Sequence, residues 1–181
     1  DVLHKDDVVK VLKERTRTSD NYIELGKNDD GLYDLISKPL FMSQQLKSRR
    51  SKKPMTFNVV CSDTSILKEY SGEVAHNLYG DRSAVYYLDL SEFKHETQAS
   101  SLFGTSAGYI GYNSEDLLVT PMRRRPESVL VLNNVDKVSK KILSTIMSHI
   151  DSGQFKNARG HVADLKNSTI LLVSDKSTRS K

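Results

Sequence analysis

Four short apolar runs divide the chain, each bounded by polar, glycine or proline residues. Their length and their branched or aromatic content are typical of buried strands. A fifth segment, 155–165, has the alternating pattern of a hairpin, and Ser91 is suited to cap a helix after the second run. The four predicted strands cover residues 55–60, 84–90, 128–132 and 169–173.

Two long stretches between these runs carry apolar residues at helical spacing. The first, 64–79, is followed by Gly80, and the second, 135–152, is followed by Gly153, as expected at helix C-termini. Strands that alternate with helices predict right-handed crossovers and a parallel sheet. The apolar faces consist of Ile66, Leu67, Tyr70, Val74 and Leu78 in the first helix and of Val138, Ile142, Ile146 and Ile150 in the second.

The chain before the first strand is more polar. Residues 6–15 have a helical pattern, residues 16–30 are predicted to be a connector, and helical patterns resume on both sides of Pro39. We therefore divide the chain into an N-terminal helix and connector at 1–30 and a larger subdomain at 31–181. The first residues have the pattern of the first turn of a helix and not that of a signal peptide. We therefore expect the sequence to be a fragment of a longer chain.

Composition narrows the class of protein. The 181 residues are 37% hydrophobic and 28% charged, with a formal net charge of +4, as in a folded domain. No apolar run is long enough to predict a membrane helix. The basic runs at 47–53 and 123–125 are interpreted as solvated surface rather than as a nucleic-acid site. A single cysteine, Cys61, cannot form an internal disulfide, which favours a reducing intracellular compartment.

The third strand ends in Asn133 and Asn134, where a nucleotide hydrolase built on such a sheet needs carboxylates. An amide has the shape of a carboxylate but neither its negative charge nor its basicity. These two residues therefore predict that any nucleotide chemistry at this strand has been lost.

The first strand is followed by a segment that fails as a phosphate-binding loop. Such a loop needs Gly, four residues and then Gly-Lys-Ser/Thr, so that backbone N–H groups and a lysine surround the phosphates. Residues 61–68 instead contain no glycine, with Leu67 in the lysine place and Lys68 in the hydroxyl place. Asp63 adds negative charge close to where a triphosphate would bind. The sequence predicts that binding of ATP and Mg²⁺ is lost or weak.

A glycine-rich segment later in the chain has different chemistry. Gly108-Tyr109-Ile110-Gly111 combines an aromatic side chain with glycines that permit an exposed loop. The alternative is that Tyr109 and Tyr112 only pack this loop onto the domain. The overlapping Gly-x-Ser-x-Gly pattern at 104–108 is a poor serine-hydrolase candidate, because no strand runs directly into it. The five histidines lack metal-ligand spacing, so no metal site is expected.

Taken in order, these motifs resemble the second ATPase domain of the Clp-type AAA+ unfoldases, the ClpB and ClpC families. The resemblance is specific over 101–175, weaker over 1–16 and absent at the phosphate loop. It implies a three-layer α/β AAA+ large subdomain with a central parallel sheet, whose strands have the family's order 5-1-4-3-2. By the same comparison, the fifth strand, the helical lid and the arginine finger are expected to be missing from this sequence. The matching segments are 88–93 (LDLSEF), 108–112 (GYIGY), 123–126 (RRRP) and 155–167.

The resemblance also assigns roles to individual residues. In that family the third strand ends in Asp-Glu, which hold Mg²⁺ and orient the attacking water, and Asn133 and Asn134 take these places. Asp175 takes the place of the sensor asparagine, and residues 35–38 take the place of the adenine-binding stretch. Tyr109 corresponds to the aromatic residue that grips an unfolding polypeptide in the pore.

These correspondences imply a catalytically inactive unfoldase-type domain, a pseudo-ATPase without cofactor or metal. Its expected partners are a polypeptide substrate and other Clp or AAA+ subunits, or a Clp protease, within a ring oligomer, with neither nucleic acid nor membrane. One alternative is a non-enzymatic scaffold or adaptor that kept the fold for protein interactions. A second alternative is an ATP-binding chaperone with an unusual site.

Overall fold

The computed structural model describes residues 21–25, 52–104 and 115–175. Two short 3₁₀ turns, Leu90–Glu92 and Glu96–Gln98, follow the third strand. The strands are β1 Asn21–Glu24, β2 Met55–Val60, β3 Val85–Asp89, β4 Val129–Asn133, β5 Gln154–Lys156, β6 Val162–Asp164 and β7 Thr169–Ser174. The helices are α1 Thr64–Tyr79, α2 Ala99–Phe103, α3 Val119–Arg124 and α4 Lys140–Ser152.

Five strands form one parallel sheet in the order β1-β2-β7-β4-β3. Strand β7 lies at its centre, where Thr169 is paired with Met55 of β2 on one side and with Val129 of β4 on the other. β5 and β6 form a separate antiparallel hairpin. The four strands predicted from apolar runs thus have the order expected of an AAA+ large subdomain, and the hairpin is also confirmed.

The core lies in two layers, one on each face of the sheet. Alternate residues of β4 point to opposite faces, so that Val129 and Val131 belong to one cluster while Leu130 and Leu132 belong to the other. The first cluster includes the buried face of α1, and the second includes apolar residues of α2, α3, α4 and the hairpin. The predicted three-layer α/β architecture is therefore confirmed. In the described part of the chain, no helix is both long and apolar enough to cross a bilayer.

Strand β1 corrects the prediction of an irregular connector over 16–30. Residues 21–24 pair in parallel with β2, from Asn21 opposite Phe57 to Glu24 opposite Val60. Leu25 then donates its N–H to the Val60 carbonyl at 2.9 Å and is buried in the first core cluster. The β2 edge therefore has a parallel partner from the N-terminal segment, which pairs backbone groups that an open strand edge would leave unsatisfied. The predicted helix at 6–15 lies outside the described residues.

Two helix starts also differ from prediction. The helix expected at 135–152 begins at Lys140, because the residues before it form a turn in which Lys137 donates its N–H to the Asn134 carbonyl at 3.0 Å. Ser91 is not a helix cap, since Asp89 accepts the Ser91 N–H at 3.0 Å and caps the 3₁₀ turn. A backbone hydrogen bond closes the first of these turns and the Asp89 side chain closes the second, before a regular helix can start.

Candidate functional site

The carboxyl ends of the central strands bring the predicted site residues to one edge of the sheet. Val60 is paired with Ser174, Asn133 with Val173, and Asp89 with Asn133, so these strands end at nearly the same level. Open parallel sheets bind ligands at this edge, where the chain turns from strand to helix. The structure therefore groups Asn133, Asn134 and Asp175 with the start of α1.

The connection from β2 to α1 is short, and a carboxylate occupies its end. Only residues 61–63 separate the last residue of β2 from the first residue of α1. The Asp63 carboxylate accepts the backbone N–H groups of Ser65 at 2.9 Å and Ile66 at 3.4 Å, and the Ser65 hydroxyl at 2.6 Å. The helix N-terminus is thus capped by the chain itself, with a negative charge at the positive end of the helix dipole.

The two residues in the lysine and hydroxyl places of the phosphate loop lie within α1 rather than in a loop. Leu67 is 2% exposed and packs in the first core cluster, whereas Lys68 is exposed. Successive helical residues point about 100° apart, so Lys68 is directed away from the position of Leu67. An ammonium group at position 67 would have to be buried in the core.

Asn134 has an unusual backbone and a defined side-chain partner. Its φ angle of 60° lies in the left-handed region, which asparagine tolerates better than most residues. Its side-chain amide donates to the Asp89 carboxylate at 2.8 Å, and its backbone N–H donates to the Asn133 side-chain oxygen at 3.0 Å. The two amides at the end of β4 are therefore engaged in local hydrogen bonds.

The bond from Asn134 affects the ionisation of Asp89. Partial burial acts to raise the pKa of Asp89, but the hydrogen bonds from Asn134 and Ser91 and the positive charge of Lys137 outweigh it. The net result is a pKa below the ordinary value for aspartate. Asp89 is consequently a carboxylate at neutral pH, and its negative charge is what the Asn134 amide binds.

The remaining side chains at this edge do not assemble a metal centre. Cys61 is a buried thiol whose sulfur lies 3.2 Å from the Asp63 carbonyl, and its N–H donates to the Ser174 carbonyl at 3.0 Å. Asp175 follows β7 and is partly buried. Within residues 21–25, 52–104 and 115–175, no group of three or more His, Cys, Asp or Glu side chains could hold a metal ion.

The predicted substrate loop, Gly108, Tyr109, Ile110 and Gly111, lies outside the described residues. The residues on either side of it are described: α2 ends at Phe103, and Glu115 and Asp116 precede α3. Gly104, the first glycine of the hydrolase-like pattern, follows a helix instead of a strand. That context does not match a serine-hydrolase nucleophile turn.

Known proteins similar to this chain fall in one group. A sequence profile of the family described as AAA domain (Cdc48 subfamily) matches residues 52–180. The chaperone protein ClpB of Aquifex aeolicus is 32% identical over 125 residues, covering 68% of this chain and 12% of that protein. The Clp protease ATP-binding subunit ClpL of Lactococcus lactis is 33% identical over 108 residues, covering 59% of this chain and 14% of that protein.

Solved structures show the same fold. The Hsp104–ADP complex of S. cerevisiae superposes with a TM-score of 0.65 at 23% identity, over 93% of this chain and 30% of that chain. The extended Hsp104–casein complex of S. cerevisiae gives 0.63 at 24% identity, over 83% of this chain and 28% of that chain. At this identity the likeness concerns the fold alone, and the chain spans less than a third of the length of these relatives.

The contact between Asn134 and Asp89 gives a direct test of the geometry at the end of β4. We predict that Asn134→Gly, which keeps the left-handed backbone but removes the amide, lowers the free energy of unfolding by about 0.5–1 kcal/mol. Asn134→Asp should lower it further at pH 7, because two carboxylates would then face each other. Urea denaturation at pH 7 and near pH 4 measures both effects.

The difference in the free energy of unfolding between Asn134→Gly and Asn134→Asp should shrink at lower pH, because one of the two facing carboxylates in the aspartate variant takes up a proton. A larger loss for the glycine variant than for the aspartate variant at pH 7 would contradict the contact.

Proposed function

This chain belongs to the AAA domain family of the Cdc48 subfamily, among the Clp- and Hsp104-like AAA+ chaperones, and we propose that it is a catalytically inactive member. In this proposal the domain contributes to an unfoldase or protease-associated ring and contacts polypeptide through Gly108–Gly111. It leaves ATP hydrolysis to active neighbours.

The main observation that supports the proposed inactivity is that the Asp63 carboxylate caps the N-terminus of α1. A phosphate bound at a helix N-terminus is held by the same backbone N–H groups that Asp63 already binds. A triphosphate would have to displace this carboxylate or bind against its negative charge. Such a site disfavours the anion that a working phosphate loop attracts.

The end of β4 supports the same conclusion by a different route. Hydrolysis of a nucleotide requires one acidic group to hold Mg²⁺ and another to orient the water. Here Asn133 and Asn134 supply amides, and the nearby carboxylate of Asp89 already accepts a hydrogen bond from Asn134. The residues at this edge therefore do not fit Mg²⁺–ATP.

The proposed work of the domain is contact with polypeptide. Tyr109 and Ile110, with Gly108 and Gly111 beside them, supply apolar contact area that does not depend on the substrate's sequence. The solved Hsp104–casein complex concerns a protein of the same fold bound to casein, which makes casein a suitable probe. We also propose that the domain's partners are other AAA+ subunits or a Clp protease, and that it acts in a reducing compartment.

We predict that the chain releases no phosphate from ATP above the buffer rate. The double variant Asn133→Asp/Asn134→Glu should also release none, because restoring the acidic pair leaves the α1 N-terminus capped by Asp63. A phosphate-release assay at millimolar ATP and Mg²⁺ tests this, with an active ClpB as the positive control. Steady turnover by the unmodified chain would instead favour the ATP-binding chaperone with an unusual site.

We further predict that Tyr109→Ala weakens binding of fluorescein-labelled casein several-fold, because the aromatic contact area is lost. The matched control is Tyr87→Ala, which removes an exposed tyrosine, 40% accessible, from the edge strand β3. Fluorescence anisotropy gives both affinities. Equal affinities for the two variants and the unmodified chain would favour the scaffold alternative.

A further inference from the structure

We propose that Asn157 is a positioning residue for substrate contact. Its amide bonds the Asp116 carboxylate, and its neighbour Ala158 bonds the Phe103 carbonyl, so this turn fixes the two described ends of the chain between which residues 105–114 run. This inference rests on the proposed function, since the polypeptide-contacting residue Tyr109 belongs to that segment.

The two ends of the segment are bonded directly to each other. Leu117 donates its N–H to the Ser101 carbonyl at 2.9 Å, and Leu118 donates to the Leu102 carbonyl at 3.1 Å. Leu102 and Leu118 are fully buried in the second core cluster. The end of α2 and the residues before α3 therefore lie at adjacent points, which form a fixed base.

One hairpin turn contacts both sides of this base. Ala158 donates its N–H to the Phe103 carbonyl at 3.1 Å, on the side where the chain leaves. The Asn157 amide donates to the Asp116 carboxylate at 3.2 Å, on the side where the chain returns. Because these two turn residues are consecutive, any shift of the turn moves both contacts together.

The amide of Asn157 is itself held in one orientation. Its side-chain oxygen accepts the backbone N–H groups of Arg159 at 3.0 Å and His161 at 2.8 Å, which closes the turn between β5 and β6. Its NH₂ group is thereby directed toward Asp116. Asparagine is suited to this position because one side chain provides both an acceptor and a donor.

The partner carboxylate is buried and satisfied. Asp116 is 6% exposed, as is Asn157, and it accepts bonds from the Thr120 N–H at 2.7 Å and the Thr120 hydroxyl at 3.0 Å. Burial acts to raise the pKa of Asp116, but the bonds from Thr120 and Asn157 outweigh it and keep the pKa below its ordinary value. A buried carboxylate is costly to leave unpaired, so removal of one donor forces the network to rearrange.

Aromatic packing fixes the other side of the base. The Phe103 ring stacks on His149 of α4 with 4.4 Å between ring centroids, and it meets the Phe155 ring edge-on at 6.2 Å. His149 in turn accepts the Lys156 N–H at 3.3 Å. The hairpin and α4 thus hold Phe103 from two directions, while the Asn157 amide bonds Asp116 to the hairpin.

The test compares three isosteric changes in the full chain by anisotropy of fluorescein-labelled casein. Asn157→Asp replaces the donor with a second carboxylate and should weaken binding roughly three- to tenfold. Asp116→Asn/Asn157→Asp exchanges donor and acceptor and should restore the affinity. Gln154→Glu, which adds the same charge at an exposed site on the same hairpin, should change nothing.

A double-mutant cycle that combines Asn157→Asp with Tyr109→Ala separates a positioning role of Asn157 from general destabilisation of the fold. If Asn157 acts through the segment that carries Tyr109, the effect of Asn157→Asp should disappear once Tyr109 is alanine. An equal loss in both backgrounds, or no recovery in the exchanged pair, would overturn the positioning role. Normal binding by Tyr109→Ala alone would overturn the proposed substrate contact, and this inference with it.

A second pair of variants applies if Asn157→Asp does not fold, as judged by its circular dichroism spectrum. Thr120→Val removes the hydroxyl that binds Asp116 without altering the hairpin, whereas Thr120→Ser keeps a hydroxyl. The valine variant should bind casein more weakly than the serine variant at equal helix content. Equal affinities for the two variants would contradict the role of the Asp116 network.

Discussion

Strands β4 and β7 carry buried apolar side chains on both faces, and both faces must therefore be covered by helices or loops. This requirement places α1 on one face and α2 to α4 with the hairpin on the other. It also aligns the carboxyl ends of the strands at one edge, because parallel strands in register end together. The positions of Asp63, Asn133 and Asn134 follow from that alignment.

The two candidate functional regions of the domain differ in how their polar groups are bonded. At the sheet edge, the polar side chains form hydrogen bonds with nearby groups of the same domain. Asp63 caps α1, and the Asn134 amide donates to Asp89. On the hairpin side, a buried polar pair connects segments that are 41 residues apart in sequence. The first arrangement opposes binding of a phosphate, whereas the second supports a fixed base beside the proposed substrate segment.

Most of the sheet could be predicted from sequence because its central strands are continuous apolar runs. Strand β1 could not, since Asn21–Glu24 has only four residues, begins and ends with polar ones, and its pairing depends on the edge of β2. The start of α4 was placed too early, because Val138 fits the helical period although Asn134 and the turn after it prevent a helix there.

The polar networks were harder to predict than the strands. The negative charge of Asp63 was evident, but its capping role requires knowing that α1 begins at Thr64. The pair of Asp116 and Asn157 leaves no local signal, since neither residue has a distinctive pattern around it. Only the packing of the hairpin against the chain before α3 brings the two side chains together.

In the proposed function, the start of α1 does not bind a triphosphate. A titration of the chain with a fluorescent ATP analogue and Mg²⁺, read by anisotropy beside an active homologue, tests it most directly. We expect no binding by this chain up to millimolar nucleotide, because Asp63 occupies the donors that would hold the phosphates. Micromolar binding would contradict the account and would mean that ATP still regulates the domain.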